Sequence, residues 1–239
     1  MLPLFPLGTV LFPGMVLPLH IFEERYRRLV ADLLDGPEPR RFGVIAIREG
    51  HEVGVDAVTS LYDVGCVAVV RDVKRHEDGQ FDLVTVGTER FRLGEIDRSL
   101  PYLRAQVEVM PDDGAVAGSG DEPDYGVESV ASAESVTPAE TVAVRAAQVA
   151  FRDYLEALVQ EGGATVRIES LPDEPELLSY VVAASMIIDL PERQSLLASP
   201  DAVSRLVAER GLLASESAML RATTSRPAPD LRHTPYSPN

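Results

Sequence analysis

Four histidines, one cysteine and one lysine are the side chains from which this chain of 239 residues could assemble a metal centre, a nucleophile or a phosphate clamp. His20, His51, His76 and His233 are scattered, without the spacing that brings three ligands to one face of a helix or hairpin, and zinc requires three or four convergent ligands. The nearest grouping, His20 with Glu23 and Glu24, reads as structural or surface, so no metal is expected. Cys66 follows Gly65 at the start of an apolar run. A reactive thiol needs an exposed electropositive setting, so a buried, inert thiol is expected here. Lys74 lies among Arg71, Arg75, His76, Glu77 and Asp78 in a solvated turn, whereas a Ser-Lys dyad needs a desolvated amine. No Gly-Lys-Ser/Thr phosphate loop occurs. Asp56, Asp63 and Asp72 fall at strand ends and turns, where Asp is favoured for local hydrogen bonding rather than for paired acid/base work. The expectation is a non-catalytic chain with no cofactor.

The elements that would position any site begin with the apolar run Met1–Leu29. Pro3, Pro6, Pro13 and Pro18 remove backbone donors and Gly8 and Gly14 add turns, so the run cannot span a membrane as a helix and reads as strands and turns feeding a helix. No positively charged segment precedes it and no small-residue cleavage site follows, so a cytoplasmic protein is expected. Tyr26, Leu29, Val30, Leu33 and Leu34 recur at helical spacing over Glu23–Leu34, and Asp35-Gly36-Pro37 stops that helix.

Short β-branched runs then follow at Phe42–Ile47, Val67–Val70, Phe81–Val86 and Tyr102–Val109, with hairpin chemistry at Asp78-Gly79. Several strands at short intervals after one early helix predict a small closed or semi-closed barrel over residues 1–112.

The net charge is −16, and it is unevenly spread. Residues 1–104 hold thirteen basic and sixteen acidic side chains, so most of the excess acid lies beyond the barrel. There is no Lys or Arg between Ala105 and Val144, and residues 113–136 read as an acidic flexible linker. Thr137-Pro138-Ala139-Glu140 is a capping box that starts a helical bundle over 137–215, with further helix starts at Asp173-Glu174-Pro175-Glu176 and Ser199-Pro200-Asp201. The apolar stretch Leu177–Ile188 belongs at the bundle centre, and residues 216–239 read as a disordered Pro-rich tail.

Binding is the chemistry left. Phe12, Met15, Phe22 and Tyr26 cluster around the opening turn and first helix and form the candidate hydrophobic groove for a client polypeptide. For Phe12 and Phe22 the barrel core is the preferred place, whereas Met15 and Tyr26 suit either core or adaptable surface. A peptide could also add to an exposed barrel edge through backbone hydrogen bonds alone.

Several of these segments carry a resemblance. Leu2-Pro3-Leu4-Phe5-Pro6-Leu7 and Val10-Leu11-Phe12-Pro13-Gly14-Met15-Val16-Leu17-Pro18-Leu19 resemble the opening phrase of the Lon protease N-terminal (substrate-binding) domain. Val64–Val70, Asp78-Gly79, Val84–Phe91 and Leu190–Leu197 are similar to that family's later strands and helical signature. The resemblance spans about Met1 to Leu213 and implies an α+β chain: an N-terminal PUA-like β-barrel followed by a C-terminal α-helical bundle. It implies a stand-alone polypeptide-binding adaptor or regulator in proteolysis, with unfolded or specific polypeptides as clients and a full-length Lon protease as a further partner. An RNA-binding reading would use Arg25, Arg27, Arg28, Arg40 and Arg41. The acidic remainder opposes it, so nucleic acid is not an expected partner. A hydrolase reading lacks a constellation of residues to perform it.

Overall fold

The computed structural model describes residues 1–52, 58–111, 137–162 and 170–224. Two halves result, one β and one α, giving the α+β class.

Strand β1 (Leu2–Leu7) pairs in parallel with β3 (Arg41–Gly50), Leu4 opposite Gly43 and Leu7 opposite Ala46. Parallel neighbours need a crossover, and it is built from β2 (Val16–Ile21) and helix α1 (Glu24–Asp35). The stripe Tyr26, Leu29 and Val30 buries α1 against the barrel, and Gly36 ends the helix by donating its N–H to the Leu33 carbonyl. Strands β4 (Val58–Arg75) and β5 (Phe81–Asp97) form a long antiparallel hairpin, and β6 (Arg104–Met110) follows.

The length of β5 closes the barrel. Its first half, Phe81–Val86, pairs with β2, and its second half, Arg90–Asp97, pairs with β6. Strand β6 also pairs with β1 through Leu2–Ala105 and Pro3–Arg104, so the order β2-β5-β4-β3-β1-β6 returns from β6 to β5. At the centre, the fully buried Phe91 ring lies across two glycines. A Cβ built on Gly65 would fall 2.4 Å from its Cζ and one on Gly43 at 2.8 Å, inside van der Waals contact.

The α half comprises α2 (Pro138–Gly162), α3 (Pro175–Ser185), α4 (Leu190–Leu197) and α5 (Ala202–Thr224). Thr137 and Glu140 form the expected reciprocal cap: Thr137 N–H donates to Glu140 Oε2 at 2.6 Å and Glu140 N–H to Thr137 Oγ1 at 3.2 Å. Asp201 caps α5 through the Ser204 N–H. Asp173 does not cap α3, whose preceding residue Glu174 makes no side-chain cap. A second capping box, Asp189 with Glu192, starts α4 and is absent from the sequence reading.

One expected boundary is corrected. Helix α5 continues past Ser215 to Thr224, so residues 216–224 belong to the bundle rather than to a disordered tail. Its buried stripe runs Leu206, Glu209, Leu213, Ser217, and the two polar members conceal the periodicity. The expected acidic linker at 113–136, and the tail from 225 onward, lie outside the described residues.

Barrel and bundle share one apolar core, in which Val10, Phe12, Ala46 and Val64 pack with Phe151, Leu178, Tyr180 and Leu206. Two buried side chains bolt the seam. Gln194 Nε2 donates to the Val64 carbonyl at 2.8 Å, and Arg90 Nη1 donates to the carbonyls of Leu197, at 3.0 Å, and Ser199.

Candidate functional site

The turn ahead of β2 is stitched to β5. Gly14 N–H donates to the Gly87 carbonyl and Gly87 N–H to the Met15 carbonyl, both at 2.9 Å, while Gly14 adopts a φ of +77°. A Cβ on Gly87 would lie 2.4 Å from the Phe12 carbonyl oxygen, so this approach requires glycine.

That turn separates the four sequence-predicted groove residues. Phe12 points into the bundle, 1% exposed, its ring centroid 6.3 Å from that of Tyr180. Met15 is half-buried and packs against both the barrel core and the shared core. Tyr26 is buried and stacks on Phe5 at 4.1 Å, and burial pushes its phenol up to about 12. Phe22 is 52% exposed, which reverses the preference for the core drawn from sequence. Strand β2 alternates, with Leu17, Leu19 and Ile21 inward and Val16, Pro18, His20 outward, and Phe22 follows the outward set just past the strand end.

Phe22 and Tyr26 line a common cavity of about 200 Å³; Phe12 and Met15 do not. Its walls are Phe5, Pro6 and Leu7 of β1, Pro18–Ile21 of β2 and Tyr26 of α1, with Glu23 and Glu52 at the rim. Among the described residues β2 pairs only with β5, so its other edge is open beside the cavity. The outer face of the β2–β5 ladder continues the apolar surface. Val16 stands opposite Val86 and Pro18 opposite Val84, with Val16 at 63% and Val84 at 39% exposure. A second, larger depression of about 330 Å³ lies at the barrel–bundle seam, but charged and polar groups, Arg48, Asp63, Arg92 and Gln194, line it.

At the next position along the ladder, His20 stands opposite Asp82. His20 Nδ1 and His76 Nε2 each lie 2.7 Å from a different oxygen of that carboxylate. Donating a hydrogen bond to Asp82 raises the His20 pKa, and the two histidines hold the Asp82 carboxyl below its ordinary value. Sequence reading grouped His20 with Glu23 and Glu24 instead, because pairing across 62 residues is set by strand register and leaves no local spacing.

The remaining candidates fall into structural places. Cys66 is fully buried in the barrel core. Lys74 is exposed on β4, Asp63 pairs with Arg48 at 3.7 Å, and Asp56 lies outside the described residues. The arginines of the RNA reading do not form an open basic face. Arg25 pairs with Glu23, Arg28 with Asp32 and Arg40 with Glu38, while Arg27 donates to the Asp78 carbonyl.

A family model, the ATP-dependent protease La (LON) substrate-binding domain, matches residues 1–215. The chain belongs to the Lon substrate-binding domain family. Among relatives of this domain, Lon protease 2 of Myxococcus xanthus is 30% identical over 196 residues, covering 81% of this chain. Lon protease 2 of Sorangium cellulosum is 39% identical over 111 residues. The chain spans only 21% and 14% of those two proteins. A Lon N-terminal domain protein from Xanthomonas campestris superposes with a TM-score of 0.57 at 27% identity, covering 89% of this chain and 96% of that one. The N-terminal domain of a Mycobacterium avium complex Lon protease shares the fold, with a TM-score of 0.56 at 15% identity. Among the described residues of this Lon-type domain, no helix is long and apolar enough to cross a membrane.

Proposed function

We propose that this domain binds extended, apolar stretches of unfolded polypeptide along the β2 face, with a side chain of the guest seated in the cavity beside Tyr26. The exposed Phe22 at the mouth of that cavity carries the reading. A large aromatic held in solvent beside an open strand edge gives a guest both an apolar anchor and unpaired backbone groups. The exposed Glu52 beside the cavity, on a chain of net charge −16, favours guests whose apolar residues are flanked by Lys or Arg. Pro18 in β2 supplies no donor, which limits pairing of the bare edge with other sheets and leaves selectivity to the side chains.

The domain in this reading recognises and hands on polypeptides without itself cutting them, as an adaptor or as the recognition part of a proteolytic system. The 239 residues contain neither a phosphate loop nor a lysine in a desolvated setting, which agrees with a binding role.

Fluorescence anisotropy with labelled unstructured peptides tests this, using the intact chain and its Phe22→Ser and Val84→Ser variants. The expected result is binding of peptides with apolar centres and basic flanks, weakened about tenfold or more by Phe22→Ser. Equal affinity in wild type and both variants, with folding unchanged, overturns the assignment to this face.

A further inference from the structure

We propose that His20, His76 and Asp82 form a binding site for a divalent first-row transition metal, zinc foremost, at the outer end of the β2–β5 ladder. Three elements contribute one ligand each: His20 from β2, Asp82 from β5 and His76 from the turn that joins β4 to β5. One donor atom from each residue lies within 4.8 Å of the other two. The rings stand edge-on to one another rather than stacked, with centroids 6.2 Å apart and planes at 66°, and each presents a nitrogen to the same carboxylate group. The positions are fixed by backbone. His20 and Asp82 are register partners, and His76 N–H is held by the Gln80 carbonyl at 2.9 Å.

The donor set decides the ion. Two imidazole nitrogens with one carboxylate suit zinc and its first-row neighbours, whereas calcium and magnesium take all-oxygen shells. Ligand bonds of about 2.0–2.2 Å place tetrahedral donors about 3.3 Å apart. The present N···O contacts of 2.7 Å therefore need to open slightly while the wider spacing in the set, which reaches up to 4.8 Å, closes, and the partly exposed side chains have that freedom. The ring nitrogen facing Asp82 must carry its lone pair to bind the metal, so a protonated imidazole releases that proton to solvent and a neutral one moves it to the other ring nitrogen. Lys74, the register partner of Asp82 on β4, makes no ion pair with it among the described residues, and Asp78 adds negative field at His20. Three protein ligands leave a fourth position open to water.

The site would tie the His20 end of β2 to the β4–β5 turn, at the edge of the cavity that His20 also lines. Competition of the metal-free intact chain against a chromophoric chelator tests it with zinc alone, and cobalt substitution reads the geometry through its visible absorption. One zinc per chain is expected, weakened at least about tenfold in His76→Ala and Asp82→Asn and unchanged in His51→Ala, with a zinc-dependent rise in Tm lost in the same two variants. These side chains are partly exposed, so circular dichroism should report unaltered folding. Absence of zinc binding at micromolar concentrations, or binding that survives both substitutions, overturns the proposal.

Discussion

Arg90 in the barrel wall, 1% exposed, donates to the Leu197 carbonyl at the last residue of α4. A helix end leaves its final carbonyls without intrahelical donors, and here the other half of the molecule supplies the donor, with the positive charge that a helix C-terminus favours. The two halves are therefore joined by a cap as well as by apolar packing. Arg90→Leu should lower stability by about 3 kcal/mol, because it buries those carbonyls unpaired. Chemical denaturation of both proteins measures it, and a loss below about 0.5 kcal/mol would show that the seam is held by packing alone.

Glu209 gives a pH signature. It is fully buried in α5, neither oxygen has a hydrogen-bond partner among the described residues, and burial pushes its pKa up to about 9 despite Arg205. The folded value exceeds the unfolded one of 4.5, so its contribution is complete below 4.5 and is lost as pH rises toward about 9. The slope reaches at most about 1.4 kcal/mol per pH unit. Glu209→Gln keeps the shape without the ionisation and should be more stable than wild type at pH 8, with a flatter profile between pH 5 and 9. Urea midpoints across that range decide it, and parallel profiles refute it.

His20 should titrate above its ordinary 6.5 in metal-free protein, since the proton is shared with Asp82. The ion pair is complete below 6.5 and disappears as pH rises through the elevated value. Asp82→Asn should return His20 toward 6.5. Imidazole proton shifts followed by NMR read both values, and no downward change in the variant counts against the coupling.

Phe12 and Phe22 are the same residue type ten positions apart with opposite environments. Phe12→Ala should cost about 3–5 kcal/mol, as expected of a core aromatic removed against Tyr180. Phe22→Ala should change stability by less than about 0.5 kcal/mol. Thermal melts of the two variants distinguish them, and similar losses would contradict the assignment of Phe22 to the surface.

Gly65→Ala should destabilise by about 1–3 kcal/mol, because the new methyl meets Phe91 at 2.4 Å and the Val44 carbonyl at 2.6 Å. Pairing it with Phe91→Leu should recover part of the loss. A double-mutant cycle in urea supplies the number, and strict additivity would exclude Phe91 as the obstacle.

The centres of the strands, α1 and the Thr137 cap are legible because each rests on local signals: alternation, helical spacing, and residue types at fixed offsets; the full lengths of β4 (Val58–Arg75) and β5 (Phe81–Asp97) exceed the runs Val67–Val70 and Phe81–Val86 that the sequence marks. The apolar stretch beginning at Leu177 was equally plain, and α3 occupies Pro175–Ser185. What escaped depends on register. Whether Phe12 or Phe22 faces solvent is set by the Gly14–Gly87 stitch, which turns the chain before β2 begins its alternation. The His20–Asp82–His76 cluster was invisible for the same reason. The end of α5 was missed because Glu209 and Ser217 sit in the buried stripe and read as solvent-facing.

The closure of the barrel by β1 on β6 bears on synthesis at the ribosome. Leu2 emerges about a hundred residues before its partner Ala105. At elongation rates of about 5–20 residues per second, β1 waits several seconds with one edge unpaired. During that interval the nascent apolar phrase is itself an exposed extended polypeptide. Strand β1 is thus, for about 5–20 seconds of its own life, the kind of object that a quality-control factor must tolerate or shelter.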